Sequence, residues 1–156
     1  LKPGTNAVIL KAFTKSFAMP GLRLGYGLCG NKSLAERIFF CGQPWGVSIP
    51  AQAAGIAALQ EQGYLERMRR LIQTERRWLS ENLARLGLCV FPSEANYILF
   101  RTETEIPLRE RMEQHSVLIR ACGNYRGLDD RYYRIAVRGH GENEHLIAAL
   151  KCALEE

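Results

Sequence analysis

"AFTKSFAMPGLRLGYG", residues 12–27, sets a single lysine among aromatic, small and glycine residues. Phe13, Phe17 and Met19 surround Lys15, Pro20 and Gly21 follow, and Arg23 stands before two further glycines, Gly25 and Gly27. A lysine on a solvated helix face usually has charged or polar neighbours; beyond the hydroxyls of Thr14 and Ser16, those of Lys15 are apolar. An amine in apolar surroundings gives up its proton more readily, and the neutral amine is a nucleophile. A guanidinium brought back across a glycine-rich turn offers a planar fork of donors to a phosphate. The residues also fit a lysine whose stem lies along a core strand with its amine in water, Arg23 standing in a surface ion pair. Both readings stay open on spacing alone.

The rest of the chain bounds the answer. Its 156 residues suffice for a buried core and suggest one domain by length. A hydrophobic share of 47% against 24% charged is globular rather than disordered. No apolar run has the length of a membrane span, and the chain is expected to be cytoplasmic. The formal charge of +5 invites a nucleic-acid reading, centred on "RMRRLIQTERRW" at residues 67–78. There, however, Leu65, Met68, Ile72, Leu79, Leu83 and Leu86 follow helical three-and-four spacing, so the arginines read as the wet side of an amphipathic helix. Neither nucleic acid nor membrane is expected as a partner. Cysteines at 29, 41, 89, 122 and 152 form no CxxC pair. With His115, His140 and His145 scattered, they give no metal pattern, and reduced thiols are the simplest account.

Along the chain, "AVILKAF" (7–13) and "LRLGYGLCG" (22–30) read as strands around the Pro20-Gly21 turn. A helix opens at "NKSLAERIFF" with Asn31 or Ser33 as its cap. Helix is expected from about Ser48 to Leu86, with a joint at Gly63. After Gly87 the texture alternates: strands at "CVFP", "NYILFRT", "VLIRA" and "RYYRIAVR", helices at "IPLRERMEQH" and "ENEHLIAALKCALEE". The expected organisation is a front piece over 1–45, a linking helical segment over 46–86 and a small α/β domain over 87–156.

"FTKSFAMPGLRLGYG" resembles the cofactor-lysine segment of the class I/II aminotransferases, the fold-type I enzymes that use pyridoxal 5'-phosphate. The family pattern is a hydroxyl residue, the Schiff-base lysine, an aromatic-small stretch, then GLR-x-G followed by an aromatic. The resemblance implies that Lys15 is the catalytic, cofactor-bearing lysine and Arg23 the phosphate-binding arginine. Where the family often has a serine three residues before the lysine, this chain has Ala12, and Thr14 is the hydroxyl expected near the phosphate. The last third, "VLIRACGNYRGLDDRYYRIAVRGHGENEHLIAAL" (117–150), looks like the threonine-phosphate decarboxylase branch of that family, which serves cobalamin biosynthesis and stands close to the histidinol-phosphate aminotransferases. By that resemblance Arg120 and Arg134 bind substrate, and Asn96 in "EANYILF" belongs to an asparagine-aromatic pair on the substrate side.

The resemblance covers essentially the whole chain but only the C-terminal part of the expected enzyme. It implies the tail of a cofactor-binding large domain (1–45), a linking helical segment (46–86) and a small domain (87–156). The parent is expected to act as a homodimer on a small phosphorylated amino acid, and the isolated chain to turn over little. Two guanidiniums on neighbouring strands suit a substrate carrying both carboxylate and phosphate. Arg120, Arg134 and Arg138 could instead form ion pairs with Asp129, Asp130 or Glu142. Two alternatives to the decarboxylase stay open. One is a histidinol-phosphate or related aminotransferase; the other is a non-catalytic interaction module.

Overall fold

The computed structural model describes residues 1–155, which divide into two compact units, one over Leu1–Glu66 and one from Arg67 to the end of the described residues. The division falls inside the long helix rather than at the ends of the expected 46–86 linking segment. Glu156, read from sequence as the end of the last helix, lies outside the described residues.

In the first unit, strand β1 (Val8–Ala12) pairs antiparallel with β2 (Gly25–Cys29), Ala12 opposite Gly25 and Val8 opposite Cys29. Between them lies a single helical turn, α1 (Phe13–Ser16). Gly25 is required at its place, because a Cβ there would stand 2.8 Å from the Lys11 carbonyl oxygen. Helix α2 (Lys32–Phe40) starts at Asn31, whose side chain accepts from the Leu34 N–H at 3.2 Å; of the two expected caps, Asn31 is the one used. Helix α3 (Ile49–Gln60) is capped by Ser48 and buries Ala51, Gly55 and Ala58, a stripe of small residues at helical spacing. That stripe lets the helix approach Leu24 and Phe13, the nearest side chains to Gly55.

The expected joint is present: Gly63 takes φ +75°, and α4 (Tyr64–Arg85) starts directly after it. In the second unit α4 buries Leu79 and Leu83, half-buries Ile72 and Trp78, and leaves Arg69 and Arg77 exposed. Gly87, at φ +78°, ends it in a Schellman motif: Gly87 N–H bonds the Ala84 carbonyl and Leu88 N–H the Leu83 carbonyl.

The second unit's sheet is antiparallel throughout, in the order β3 (Cys89–Val90), β4 (Tyr97–Arg101), β6 (Tyr132–Ala136), β5 (Arg120–Ala121). Ile98, Phe100, Tyr133 and Ile135 point to one face and join Leu79 and Leu83 of α4, Leu108 and Met112 of α5 (Leu108–Gln114), and Leu146, Ala149, Leu150 and Ala153 of α6 (His140–Glu155) in one core. The period-two alternation of β4 and β6 therefore sends Tyr97, Leu99, Arg101, Tyr132, Arg134 and Ala136 to the other, open face. Strand β5 is shorter than "VLIRA" promised. Ser116, at φ +58°, and Val117 are used to end α5, their N–H groups bonding the Glu113 and Met112 carbonyls. Pairing starts only at Arg120.

Candidate active site

The first unit gathers its polar candidates in the twelve residues that β1 and β2 bracket. The register Ala12–Gly25 closes the loop, so Lys15, three residues past one strand, and Arg23, two before the other, emerge at the same end of the ladder. Beneath them Phe13 stacks on Phe17 with ring centroids 5.0 Å apart, Phe17 stacks on Tyr64 at 5.6 Å, and Phe13 meets Tyr26 edge-on at 6.0 Å. The apolar neighbours read from sequence thus serve as the floor of α1. Phe13 is buried, Thr14 half-buried, and Lys15 itself exposed, so the apolar enclosure expected around the amine is not formed within this chain. The reason is geometric: one helical turn can bury only one side, and Phe13 takes it.

Arg23 is exposed and held at φ +52°, in the left-handed region that costs a non-glycine residue on the order of 1 kcal/mol. Its Nη1 donates to the Pro20 carbonyl at 3.1 Å, which folds the guanidinium back over its own turn. Backbone strain of this kind is retained where the surrounding structure over-determines a side chain's direction.

The second unit carries the other candidates. Arg120 on β5 and Arg134 on β6 are direct cross-strand partners, so their Cβ atoms stand about 4.5–5.5 Å apart on the open face. Neither makes an ion pair among the described residues, and two of the three competing acids, Asp129 and Glu142, are engaged elsewhere. Asp129 is held by Arg131, its Oδ2 2.6 Å from Nη2, and that hydrogen bond pulls its carboxyl below the usual range. Glu142 pairs with Arg138 at 3.1 Å. The Arg134 guanidinium sits over the Tyr97 ring, 4.9 Å from its centroid, and Arg120 lies 6.0 Å from that of Tyr125 while donating to Asn124 Oδ1 at 3.4 Å. Cys122, two residues past Arg120, is buried, and burial pushes its thiol up although Arg134 and Arg120 act the other way.

Asn96 is not brought to this pair. Its backbone carbonyl extends the β4–β6 ladder to Val137 N–H at 2.9 Å, and the residue lines a groove with Arg69, Gln73 and Arg76 of α4.

Sequence reading missed Glu75, a carboxylate inside an arginine-rich helix and only 6% exposed. It accepts from Asn143 Nδ2 at 2.9 Å and meets His140 Nδ1 at 3.1 Å. Burial alone would raise its carboxyl, but the hydrogen bonds from Asn143 and His140 and the imidazole charge together hold it below the ordinary carboxylate value. Asn143 also accepts from Arg138 N–H at 3.1 Å and donates to the Arg138 carbonyl at 2.9 Å, which ties the start of α6 to α4. The only hint in sequence was that Glu75 falls on the apolar stripe, between Ile72 and Leu79.

The family model "Aminotransferase class I and II" matches residues 1–150. The chain belongs to that family. It is 40% identical, over 99% of its length, to the threonine-phosphate decarboxylase of Salmonella typhimurium, of which it covers 43%. Among solved structures, the histidinol-phosphate aminotransferase of Clostridium acetobutylicum superposes with a TM-score of 0.88 at 34% identity, over 96% of this chain and 46% of that one. The histidinol-phosphate aminotransferase of Sinorhizobium meliloti, solved in complex with pyridoxal 5'-phosphate, superposes with a TM-score of 0.85 at 26% identity, over 99% of this chain and 43% of that one. The chain thus spans less than half the length of the relatives it matches. Its fold is the corresponding part of a fold-type I enzyme, and the cofactor of the family is pyridoxal 5'-phosphate. The donor set of the first unit fits that group, with a primary amine for its aldehyde and an exposed guanidinium, on a strained backbone, for its phosphate.

Proposed function

We propose that the parent protein is a pyridoxal-phosphate-dependent decarboxylase of L-threonine O-3-phosphate, yielding (R)-1-aminopropan-2-yl phosphate for cobalamin synthesis. In this reading residues 1–45 are the tail of the cofactor domain and 87–156 the substrate-binding small domain. One observation carries it: two arginines directly opposite one another on adjacent strands, with no acidic partner among the described residues. Like charges in register destabilise a sheet, so such a pair is kept where an anion is to be bound. L-threonine O-3-phosphate brings a carboxylate and a phosphate in one small molecule. The 40% identity to a threonine-phosphate decarboxylase adds to it.

Lys15 would hold the cofactor's aldehyde through its amine, and Arg23, with Thr14 beside the lysine, would hold its phosphate. When bound, the cofactor supplies an electron sink for the pair released as a bond breaks at the substrate's Cα. Arg120 and Arg134 bind the substrate's anions and so set its orientation. The orientation that Arg120 and Arg134 impose on the substrate would decide whether its carboxylate is lost as carbon dioxide or its Cα proton is removed for transamination. Asn96 is assigned to the substrate side at most through its neighbour Tyr97, given the groove it lines. The chain alone is expected to be inactive, and the parent to be a cytoplasmic homodimer.

The test uses the full-length parent loaded with pyridoxal 5'-phosphate and given O-phospho-L-threonine without any 2-oxo acid. Carbon dioxide release that is lost in Lys15→Ala supports the reading. The Clostridium superposition favours one second reading, a histidinol-phosphate aminotransferase. Turnover seen only with histidinol phosphate and 2-oxoglutarate would establish that instead.

A further inference from the structure

Arg134 presents a problem that its strand does not solve. It stands directly across from Arg120, and two like charges at that spacing push each other's side chains apart. Long, flexible arginine side chains would relieve the repulsion by swinging into water. A carboxylate partner would hold Arg134 in place, but it would also consume the guanidinium N–H donors that a ligand needs. Among the described residues no hydrogen bond or ion pair engages the Arg134 guanidinium. What does meet it is the Tyr97 ring, 4.9 Å from the guanidinium carbon.

A ring quadrupole attracts the cation without accepting through its N–H edges, so this contact holds the side chain and leaves all five donors for a ligand. Tyr97 is placed for it by topology. It lies on β4 opposite Ala136 of β6, two residues from Arg134 on the same open face, and is itself 43% exposed. No hydrogen bond engages its hydroxyl among the described residues, so the ring and not the oxygen makes the contact. Tyr125 stands in the same relation to Arg120 at a longer 6.0 Å, on an exposed turn rather than a strand.

We propose that Tyr97 is a positioning residue for anion recognition, an aromatic brace that keeps Arg134 beside Arg120 with its donors unspent. The proposal rests on the reading of Arg120 and Arg134 as the anion site. A cation–ring contact at an exposed site translates into about a two- to five-fold change in affinity. The experiment uses the whole chain, ¹⁵N-labelled, with the Arg120 and Arg134 Nε–Hε resonances followed during titration with O-phospho-L-threonine.

Before ligand is added, Arg134 should show a ring-current displacement that persists in Tyr97→Phe and disappears in Tyr97→Leu. On titration, Tyr97→Phe should bind within twofold of wild type and Tyr97→Leu two- to five-fold more weakly. Tyr125→Leu should have a smaller effect than Tyr97→Leu. Wild-type affinity in Tyr97→Leu, alongside binding lost in Arg134→Lys, overturns the brace and leaves the anion site standing. No saturable shift at either arginine in the wild type overturns the site and the brace with it. The ring-current measurement needs no substitution, so its absence in the wild-type chain overturns the brace even if a variant fails to fold.

Discussion

Replacing Asn143 by alanine tests how the second unit holds its buried carboxylate. Asn143 is 1% exposed and makes three hydrogen bonds: from the Arg138 N–H, to the Arg138 carbonyl and to Glu75 Oε2. The two neutral bonds contribute about 0.5–1.5 kcal/mol each and the bond to the carboxylate about 1.5–3 kcal/mol, so Asn143→Ala should destabilise by roughly 4 kcal/mol. That is a large part of the about 5–15 kcal/mol a domain of this kind possesses. Urea unfolding followed by circular dichroism gives the value, with an unchanged slope as the check that two-state behaviour survives. The sign of the pH dependence follows from the lowered carboxyl of Glu75. A carboxyl whose folded value lies below its unfolded value, about 4.3, contributes stability that is complete above that pH and is lost as pH falls through the folded value. In Asn143→Ala one of the bonds lowering it is gone while burial still raises it, so the acid loss begins at higher pH. Asn143→Asp is the sharper control, since it sets a second carboxylate against Glu75, and its penalty should shrink as the pH drops and one of the two takes a proton. A loss under about 1 kcal/mol in Asn143→Ala, or a penalty for Asn143→Asp that grows with acid, would refute the account.

Other consequences are direct. Gly25→Ala puts a methyl 2.8 Å from the Lys11 carbonyl oxygen, and should cost about 1–3 kcal/mol in thermal or urea unfolding as the loop carrying Lys15 and Arg23 shifts. Leu83→Ala, at a fully buried position in the core, should cost about 2–5 kcal/mol, read in the same unfolding experiment. Cys122 is buried with its thiol pushed up, whereas Cys41 and Cys152 are exposed. Labelling with a thiol reagent at neutral pH, mapped by mass spectrometry, should therefore modify those two well before Cys122.

Much of this chain could be read without coordinates, and the reason is locality. The stripe from Leu65 to Leu86 made α4, Gly63 placed the joint, Asn31 and Ser48 stand where helices start, and the alternation in "NYILFRT" and "RYYRIAVR" marked two strands. Each of these depends on residues within a turn or two of one another. The lysine segment was legible for a different reason: its order of residues is a family pattern, and the matched family bears it out at the level of fold and cofactor. Where the residues of the site stand relative to one another was not legible. Arg120 and Arg134 become neighbours only through the β5–β6 register, and it is the β4–β6 register that sets Tyr97 beside Arg134. Asn96 and Tyr97 are adjacent in sequence, yet the first stands in the bend before β4 and lines a groove with α4, whereas the second is the strand's first residue and meets an arginine on the open face. Glu75 looked like one more charge on a wet helix until α6 brought Asn143 and His140 to it. The apolar residues around Lys15 promised an enclosed amine, and tertiary packing spent them beneath α1. Sequence by itself determined which segments are helix, strand and turn and which family they build. Which side chains meet was decided by pairing and packing between segments distant along the chain, a cooperative outcome that no local pattern encodes.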